Sequence, residues 1–422
     1  MKKADVPSAE VVIAESTQAR NLLSAAAVRE RTHRLFDIGR EGGLLHFRLD
    51  LARLPALAEV VASVVRQNYP DLVVPFHARW RHFVFAGQDR WAELAAATPW
   101  ANPAAKARAA FDLAIVSVLL DAGAGAAWRY RDARSGADIG RSEGLALASL
   151  DMFAAGAFSA DPADPLRADA RRLAEMSAAD LAGGFQVTTE NPLSGIEGRV
   201  QLLNALGRVM LAAPEVFARH DGPRPGGLFD RLAERAGTAA LPAPAILETV
   251  LAHLGPIWPS RLALGGVPLG DCWRHPLIAT GDATSGLIPF HKLSQWLSYS
   301  LIEPLAEAGI AVSEIDGLTG LAEYRNGGLF IDGGVIVAND PEILTRTHAP
   351  GSTVIVEWRA LTVALLDAIA PLVRQALGQT QADFPLVKIL EGGTWAAGRM
   401  LARKARADGG PPLAILSDGT VF

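Results

Sequence analysis

The spacing of hydrophobic residues along the chain predicts a protein made mostly of helices. In many segments apolar residues recur every three or four positions, the pattern of a helix with one buried face. Asn102 and Pro103 support one such helix, because asparagine caps helices well and proline suits the first helical position. The most apolar run, AIVSVLLDAGAGAA from Ala114, is interrupted by Asp121 before it reaches a membrane-spanning length, so we expect a buried helix there. The predicted helices cover residues 15–40, 54–67, 102–122, 142–153, 165–182, 196–212, 243–254 and 287–308.

Strand signals are short and few. Alternation of apolar and polar residues is visible in LLHFRLDL near Leu44, in GGLFIDGGVIV from Gly327 and in STVIVEW from Ser352. The proline- and glycine-rich loops lack the length of a linker between independent domains. We therefore predict a mainly α protein with one or two small β elements. It should form a single compact unit over 1–422, with possible helical sub-lobes at 1–185 and 186–422.

Composition and charge limit the cellular compartment and the binding partners that we expect for this chain. Hydrophobic residues make up 50% and charged residues 20% of the 422 residues, which is typical of a globular chain. With a net charge of -5 and no Lys/Arg block, nucleic acid is not an expected partner. Cys272 is the single cysteine, so no intrachain disulfide can form. The N-terminal MKKADVPSAEVVIAES has no apolar run of signal-peptide length, and we expect a cytoplasmic protein without membrane attachment.

Aromatic, histidine and arginine residues are concentrated in VPFHARWRHFVFAGQDRW, which starts at Val74. We take His77, Trp80 and His82 as candidate ligand-binding residues, since such side chains stack on planar ligands and the neighbouring arginines could hold a phosphate. An amphipathic surface with hydrogen-bonded histidines is the alternative interpretation. Metal binding is not expected, because His77 and His82 lack a third ligand at a recognised spacing.

The segment GDCWRHP places the cysteine beside Trp273 and Arg274. A thiol nucleophile needs a lowered pKa, and no separate feature of the sequence would lower it. A structural or substrate-lining role is therefore favoured for this segment.

The segment PFHKLSQWLSYSLIEPL, from Pro289, predicts a helix with two distinct stripes. Leucines form one stripe, while Lys292 and Gln295 share the other with Trp296 and Tyr299. Tryptophan and tyrosine are poor choices for open solvent, so this second stripe favours a pocket over a solvated face.

Charge is concentrated in EIDGLTGLAEYRNGGLF, from Glu314. Asp316 is a good helix cap, and a helix from there would place Asp316 and Glu323 on one face, two turns apart. The Asn-Gly pair after Arg325 is a natural helix stop, which would leave Tyr324 and Arg325 in the last turn. Capping explains Asp316, whereas the acid before Tyr-Arg suggests a functional role.

Two later segments also contain candidate functional residues. In VIVEWRALTVALLDAIAPLV, Glu357 and Arg359 interrupt a long apolar run, so we expect both to be paired or to face a pocket. In EGGTWAAGR, from Glu391, the glycines would permit close approach of the backbone.

Several common catalytic motifs are missing. The chain has no phosphate-loop lysine motif, no dinucleotide glycine fingerprint, no nucleophile elbow and no zinc-binding helix signature. Nucleotide-driven, hydride-transfer and common hydrolase chemistries are accordingly disfavoured.

Eight segments spread over nearly the whole chain carry a family resemblance: HARWRHF, DAGAGAAWRYRD, RSEGLALASLDMF, TTENPLSGIEGR, GDCWRHP, LIPFHKLSQWL, DGLTGLAEYRNGGLFID and EGGTWAAGR. Together they resemble the URC/URG-type family. This fungal and bacterial group is associated with uracil catabolism and was long known only as a domain of unknown function.

A second resemblance covers residues 289–365 and concerns the queuosine salvage N-ribohydrolases, whose fold is related to helical DNA glycosylases. It implies a multi-helix, DNA-glycosylase-like architecture. Glu323 stands where that family keeps an aspartate before Tyr-Arg, and Asn-Gly-Gly replaces the proline that follows, so the loop there must differ. The matching residues are Phe290, His291, Lys292, Gln295, Ile315, Asp316, Leu318, Thr319, Leu321, Ala322, Tyr324, Arg325, Glu357, Arg359 and Ala360.

The two resemblances imply an N-ribosyl hydrolase in uracil breakdown. It would cleave the C1′–N bond of a ribosylurea-type intermediate, in particular its 5′-phosphate, without a cofactor or a metal. Such cleavage passes through an oxocarbenium-like state that a carboxylate stabilises. Glu323 is the first choice for this carboxylate and Asp316 the alternative, while Glu357 or Lys292 would assist the departing urea.

The substrate-binding residues follow from the same resemblance. A 5′-phosphate would be held by Arg325, Arg359, Lys292 or the cluster around His77 and His82. Trp80 and Trp273 would wall the pocket, and Arg274, Gln295 and Tyr324 complete the set. The alternatives are an N-ribohydrolase of an intact pyrimidine nucleoside or nucleotide, a non-catalytic partner of the ring-opening enzyme, and, third, a DNA glycosylase. Association with other uracil-catabolism enzymes is also expected.

Overall fold

The computed structural model describes residues 9–218, 222–258 and 262–416. Helices dominate it, and every strand is only two or three residues long. Its α-helices are α1 (Ala9–Asn21), α2 (Ala25–Arg40), α3 (Leu54–Asn68), α4 (Arg90–Ala97), α5 (Pro103–Leu119), α6 (Arg141–Ala154), α7 (Ala170–Ala174), α8 (Ala178–Gly184), α9 (Ile196–Ala212), α10 (Pro214–Phe217), α11 (Gly227–Ala236), α12 (Ala243–Leu254), α13 (Lys292–Glu307), α14 (Tyr324–Asp332), α15 (Thr353–Leu377), α16 (Leu386–Ile389) and α17 (Trp395–Ala405).

The strands pair only two at a time. Among the described residues they form seven two-stranded sheets, more than the one or two β elements expected. None grows into a larger sheet, so the predicted mainly α class is confirmed. The antiparallel pairs are β1 (Phe47–Leu49) with β12 (Ile336–Ala338), β2 (Val84–Phe85) with β3 (Gln88–Asp89), β4 (Tyr130–Arg131) with β5 (Asp138–Ile139), β7 (Ala263–Leu264) with β8 (Val267–Pro268), and β9 (Cys272–Arg274) with β10 (Leu287–Pro289). The parallel pairs are β6 (Leu241–Pro242) with β11 (Val312–Ser313), and β13 (Thr347–His348) with β14 (Ala414–Ile415).

The described residues fold into two compact units. The first takes its residues from Met1–Phe76, Pro259–Gln295 and Ile315–Leu416, and the second from His77–Trp258 and Trp296–Glu314. Each unit thus contains residues from both sides of position 185. The single compact body with sub-lobes at 1–185 and 186–422 stays a prediction.

Helix α15 is the central helix of the first unit. Ser352 starts it, because the serine side chain accepts a hydrogen bond from the amide of Ile355 (3.4 Å). Helices α2 and α3 pack against α15, and its side chains from Val354 to Leu366 are buried. Its length and hydropathy would suit a membrane span, but burial of this kind is typical of a core helix. The strand predicted from Ser352 is wrong, because the cap and the burial outweigh the weak strand preference of the β-branched residues.

Helix α5 forms the corresponding core of the second unit. The Asn102 side chain caps it by accepting from the amide of Ala105 (2.9 Å), as the sequence predicts. Its side chains are continuously buried from Ala109 to Leu119, and α6 and α11 pack against it.

Of the other predicted helices, four are confirmed, and three are divided or begin later than predicted. Those at 54–67, 142–153, 196–212 and 243–254 are confirmed with small shifts at their ends. The span 15–40 is two helices, because Ser24 caps α2. The span 165–182 contains only α7 and α8, the latter started by a capping box between Ser177 and Asp180. The span 287–308 begins as strand β10, and α13 starts at Lys292.

Candidate functional site

Glu323 is the N-cap of a helix rather than a residue in its last turn. Residues Ile315–Gly317 form a single 3-10 turn, and α14 begins just where the sequence predicted a helix end. The Glu323 carboxylate accepts from the amides of Arg325 (2.7 Å) and Asn326 (2.5 Å). The predicted helical face shared by Asp316 and Glu323 is therefore wrong, since no helix joins them.

The Asn-Gly-Gly run after Arg325 serves packing inside α14. A Cβ atom on Gly327 would lie 2.7 Å from the Trp358 ring, so only glycine allows α14 to approach α15 this closely. The Gly327 carbonyl accepts from Trp358 Nε1 (3.1 Å). Close approach to the neighbouring helix, rather than helix termination, explains this glycine.

Asp316 joins three parts of the first unit. Its carboxylate accepts from Arg374 Nη2 (2.6 Å) and from the amide of Leu386 (2.6 Å), which ties the 3-10 turn to α15 and α16. Arg29 of α2 donates to the backbone carbonyl of Asp316 (3.1 Å). Both carboxylate oxygens are thus engaged in structural contacts.

Glu357 is fully buried and holds strand β1 against α15. Its carboxylate accepts from the amides of Leu45 (3.1 Å), His46 (2.9 Å) and Phe47 (3.0 Å). His275 Nε2 lies 3.3 Å from the same carboxylate. A buried carboxylate needs such partners, and they explain an acid in an apolar helix.

Arg359 pairs with Asp271, an acid that sequence reasoning missed. Its Nη1 and Nη2 atoms donate to the two carboxylate oxygens of Asp271, and both hydrogen bonds are 2.8 Å long. Its guanidinium stacks on the Phe290 ring, with the guanidinium carbon 4.1 Å from the ring centre. Asp271 also accepts from Trp273 Nε1 (2.7 Å) and from the amide of Lys292 (3.0 Å). Burial alone would raise the pKa of Asp271, but Arg359 and the other donors hold that pKa well below its usual range. The one signal for it was that a buried arginine requires an acid.

A pair of reciprocal hydrogen bonds joins the start of α13 to the segment before Glu323. Gln295 Nε2 donates to Thr319 Oγ1 (2.7 Å), and the Thr319 amide donates to Gln295 Oε1 (3.2 Å). Arg359 Nε also donates to the carbonyl of Ala322 (3.4 Å). We call Asp271, Arg359, Gln295 and Thr319, with these contacts, the polar centre of the first unit.

Tyr324 and Arg325 lie at the first turn of α14. Tyr324 is exposed, and the Arg325 guanidinium lies 4.9 Å from its ring centre. Arg325 is itself buried and donates from Nη1 to the carbonyl of Gly409 (2.8 Å). Of the other predicted residues in this unit, the Lys292 side chain is half-buried and Arg274 is exposed.

Cys272 lies in a hydrophobic core and not in an open site. It is buried in β9 among Ala19, Leu22 and Leu287. Burial, with a smaller effect of the Asp271 charge, raises the pKa of the thiol to about 12. The thiol is therefore protonated at neutral pH, as the structural interpretation of this segment requires.

His77, Trp80 and His82 belong to the second unit. Both histidine rings face Trp296, with ring centres 6.5 Å (His77) and 5.8 Å (His82) away. Trp80 is buried, and its Nε1 donates to the carbonyl of Ser300 (2.7 Å). The sequence cluster is thus an aromatic centre of the second unit, built around Trp296.

The fold and the polar centre define a mainly α protein whose first unit joins three distant segments through buried Asp–Arg and Gln–Thr contacts. The chain belongs to the family described as Protein of unknown function (DUF1688), whose model matches residues 21–422. It is 37% identical over 411 residues to "Protein urg3" of Schizosaccharomyces pombe, covering 95% of this chain and 98% of that protein. It is 36% identical over 435 residues to "Uracil catabolism protein 4" of Lachancea kluyveri, covering 94% and 98%. The resemblance to the URC/URG-type family is confirmed.

Proposed function

We propose that this protein acts in uracil catabolism as an N-ribosyl hydrolase. The pathway follows from the name of the Lachancea kluyveri relative, which matches this chain over nearly the full length of both proteins. The reaction we propose is cleavage of the C1′–N bond of a ribosylurea-type compound, its 5′-phosphate in particular, to urea and the free sugar.

One observation carries this proposal: the three segments that resemble the N-ribohydrolases lie together in the polar centre. Gln295 from the first segment bonds Thr319 from the second, and Arg359 from the third bonds the carbonyl of Ala322. Segments up to 64 residues apart in sequence are joined by side chains that the resemblance singles out, and this supports a shared site.

Among the three candidate carboxylates, the contacts favour Glu323. Glu357 is fully buried against β1, and the negative charge of Asp316 is paired with the Arg374 guanidinium. Glu323 is partly buried, and its carboxylate accepts from two backbone amides, which fix its position. A carboxylate held in one geometry is suited to stabilising a positive charge that develops at a sugar carbon.

In the proposed reaction, water attacks C1′ as the bond from C1′ to the urea nitrogen breaks. The new C1′–O bond comes from the water, and the proton that the water loses is balanced by the proton that the urea nitrogen gains. Glu323 stabilises the oxocarbenium-like state and orients the water. Lys292, half-buried at the start of α13, is our candidate for assisting the departing nitrogen.

The test is to incubate the purified protein with ribosylurea and with its 5′-phosphate, and to measure urea and ribose or ribose 5-phosphate. Release of both products is expected. Uridine and uridine monophosphate serve as intact-base controls, and faster cleavage of either would move the proposal to a nucleoside or nucleotide substrate. Binding of ribosylurea without any release from either form would contradict hydrolysis and favour a non-catalytic partner.

A further inference from the structure

Helix α17 of the first unit carries an open groove of about 540 Å³ with a basic lining, which we call the α17 groove. Ligand pockets usually measure about 300–1,000 Å³, so the groove has room for a small molecule. Among the described residues that line it, three are cations and none is an acid, although the chain has a net charge of -5. The α17 groove should therefore attract anions. Its lining residues are Trp395, Ala396, Arg399, Met400, Arg403 and Lys404.

The cationic side chains of the α17 groove are accessible to a ligand. Arg403 and Lys404 are exposed, and Arg399 is half-buried. Within the described part of the chain neither Arg403 nor Lys404 forms an ion pair, whereas Arg406, at the end of the same helix, pairs with Asp332 (2.6 Å). Basic residues in a last helical turn complement the helix dipole, but that effect alone does not place three cations along one groove.

The residues of the α17 groove are ordered along the helix. Trp395, Arg399 and Arg403 follow each other at intervals of four and form one row, and Lys404 stands in the adjacent row. The Arg399 guanidinium carbon lies 5.2 Å from the Trp395 ring centre, a cation–π contact that orients both side chains. The groove thus has an aromatic end at Trp395 and a cationic end at Arg403 and Lys404.

The aromatic end of the α17 groove adjoins the first turn of α14. Thr394, the residue before Trp395, donates from Oγ1 to Asn326 Oδ1 (2.9 Å), and the Asn326 amide donates to the Glu323 carboxylate (2.5 Å). Thr394 ends a π-helical turn, Leu390–Thr394, and turns of this rare kind are frequent at functional sites. The groove therefore begins one residue beyond a hydrogen-bonded connection to the proposed catalytic carboxylate.

Two arginines that the sequence suggested for a 5′-phosphate are engaged elsewhere. Arg359 donates to both carboxylate oxygens of Asp271, so a phosphate there would compete with a buried carboxylate. Arg325 is buried and donates to the carbonyl of Gly409. The α17 groove supplies the accessible cations that a phosphate requires.

We propose that the α17 groove binds the phosphate of a ribose 5-phosphate unit. Arg403 and Lys404 donate to the phosphate oxygens, and Arg399 completes the cationic wall. The sugar extends from the phosphate toward Trp395 and the first turn of α14, where Glu323 lies. This inference rests on the proposed function, because it assigns the groove to the 5′-phosphate of the same substrate.

The experiment is to titrate the full chain with ribose 5-phosphate by calorimetry at low ionic strength. Ribose 5-phosphate should bind, and ribose should bind at least about tenfold more weakly because it lacks the charged group. Sulfate is the control for general attraction of anions. It should also bind more weakly than ribose 5-phosphate, since it has no sugar to contact the aromatic end.

Variants identify the site. Arg403→Gln and Lys404→Gln should each weaken binding of ribose 5-phosphate about tenfold, since each removes a charge-assisted hydrogen bond. Both side chains are exposed, so both variants should fold. Arg34→Gln, which removes an exposed arginine of α2 in the same unit, is the control and should bind ribose 5-phosphate as the native chain does. In the hydrolysis assay, Arg403→Gln and Lys404→Gln should raise KM for ribosylurea 5′-phosphate and leave KM for ribosylurea unchanged.

Two results would overturn the inference. They are binding of ribose 5-phosphate no tighter than that of ribose or sulfate, and native binding of ribose 5-phosphate in both variants. The outcome is distinct from that of the hydrolysis test. Urea release that is indifferent to Arg403 and Lys404 would remove the phosphate site and keep the reaction. Binding of ribose 5-phosphate that depends on both residues, without urea release, would keep the site and remove the reaction.

Discussion

Glu323 combines a structural role with the proposed catalytic one, and substitutions can separate them. Serine and aspartate both cap helices well, so Glu323→Ser and Glu323→Asp should melt within a few degrees of the native chain. We expect Glu323→Ser to lose urea release by about a hundredfold or more, because the carboxylate is gone. Glu323→Asp keeps the carboxylate with a shorter reach and should retain part of the activity. Urea release and melting temperature are measured on the same samples.

The control for this series is Asp340→Ser. Asp340 is an exposed carboxylate of the first unit that caps a 3-10 turn through the amide of Glu342, so it matches Glu323 in structural role only. Its activity should be native. Full activity in a folded Glu323→Ser variant would leave Glu323 as a cap alone.

The Cys272 thiol should be unreactive in the folded protein. The thiol is buried and its pKa is raised to about 12, so almost no thiolate exists at neutral pH. A thiol reagent such as DTNB should react with the native chain only as fast as the chain unfolds, and at once in urea. Cys272→Ala should cost about 1 kcal/mol of stability and leave urea release intact. Rapid labelling of the folded protein, or loss of activity in a stable Cys272→Ala variant, would restore the nucleophile interpretation.

At the scale of elements, glycines set how closely α17 approaches α14. A Cβ atom on Gly398 would lie 2.2 Å from the carbonyl oxygen of Arg325, a backbone atom that cannot turn aside. Gly398→Ala should therefore lower the free energy of unfolding by about 1–3 kcal/mol, as overpacking does.

Gly198 in α9 offers the matched control, because nothing lies within 4 Å of a Cβ atom placed there. Gly198→Ala should stabilise the chain by about 0.5–1 kcal/mol through helix propensity. Urea unfolding of the two variants beside the native chain gives both values. If Gly398→Ala has the same free energy of unfolding as the native chain, α14 and α17 separate more easily than their contact indicates.

Elements were predictable where the local pattern decides them, and unpredictable where a distant contact does. The apolar period of α5, α9 and α12 persists over several turns, so these helices follow from the sequence. The stretch TVIV at the start of α15 has strand-like residues, but the Ser352 cap and burial against α2 and α3 make it helical. Residues 316–325 were mispredicted because Asp316 does not start a helix in its own segment and instead reaches across to Arg374 and to the amide of Leu386 at the start of α16.

The residues of the candidate site were likewise predictable only where the local sequence pattern marks them. Lys292, Gln295, Glu357 and Arg359 could be selected from the sequence, because polar residues interrupt apolar stripes at these positions. Asp271 could not be selected, since its partner Arg359 lies 88 residues further along the chain. Nothing in the neighbourhood of Asp271 distinguishes it from the other acids; only the tertiary fold does.

At the scale of the whole molecule, each unit is built from segments far apart in sequence, so local patterns cannot show where one unit ends. The first unit, for example, takes residues from three stretches of the chain, separated by parts of the second. Contacts such as Asp271–Arg359 and Glu357–β1 join these stretches. Much of the stability of the first unit should therefore depend on a small number of buried polar contacts, and these make it sensitive to pH.

Histidines that are partly or fully buried should make the molecule less stable as the solution becomes mildly acidic. Burial lowers the pKa of His46, His253 and His291 in the folded chain. A histidine whose folded pKa lies below its unfolded value of about 6.5 takes up a proton preferentially on unfolding. Its contribution is complete above that pH and is lost as the pH falls. For the fully buried His291 the loss is up to about 1.4 kcal/mol per pH unit until the folded pKa is reached, and solvent reduces the effect of the partly exposed His46 and His253.

His291 allows this to be tested at one position, because asparagine can replace it in both of its structural roles. His291 is buried, has a left-handed backbone (φ 47°) and donates from Nε2 to the carbonyl of Leu22 (2.9 Å). Asparagine tolerates that backbone and carries an amide donor, but it does not titrate. His291→Asn should be less stable than the native chain at pH 8, because the smaller side chain leaves a cavity. The difference should shrink by up to about 1 kcal/mol between pH 6.5 and 5.5, because the unfolded native chain takes up a proton at His291 over this range. Titrations of every other group cancel in the difference between the two chains, so parallel urea unfolding from pH 5 to 8 isolates this histidine. A constant difference would show that His291 keeps the same pKa in the folded and unfolded states, and that its burial does not contribute to acid sensitivity.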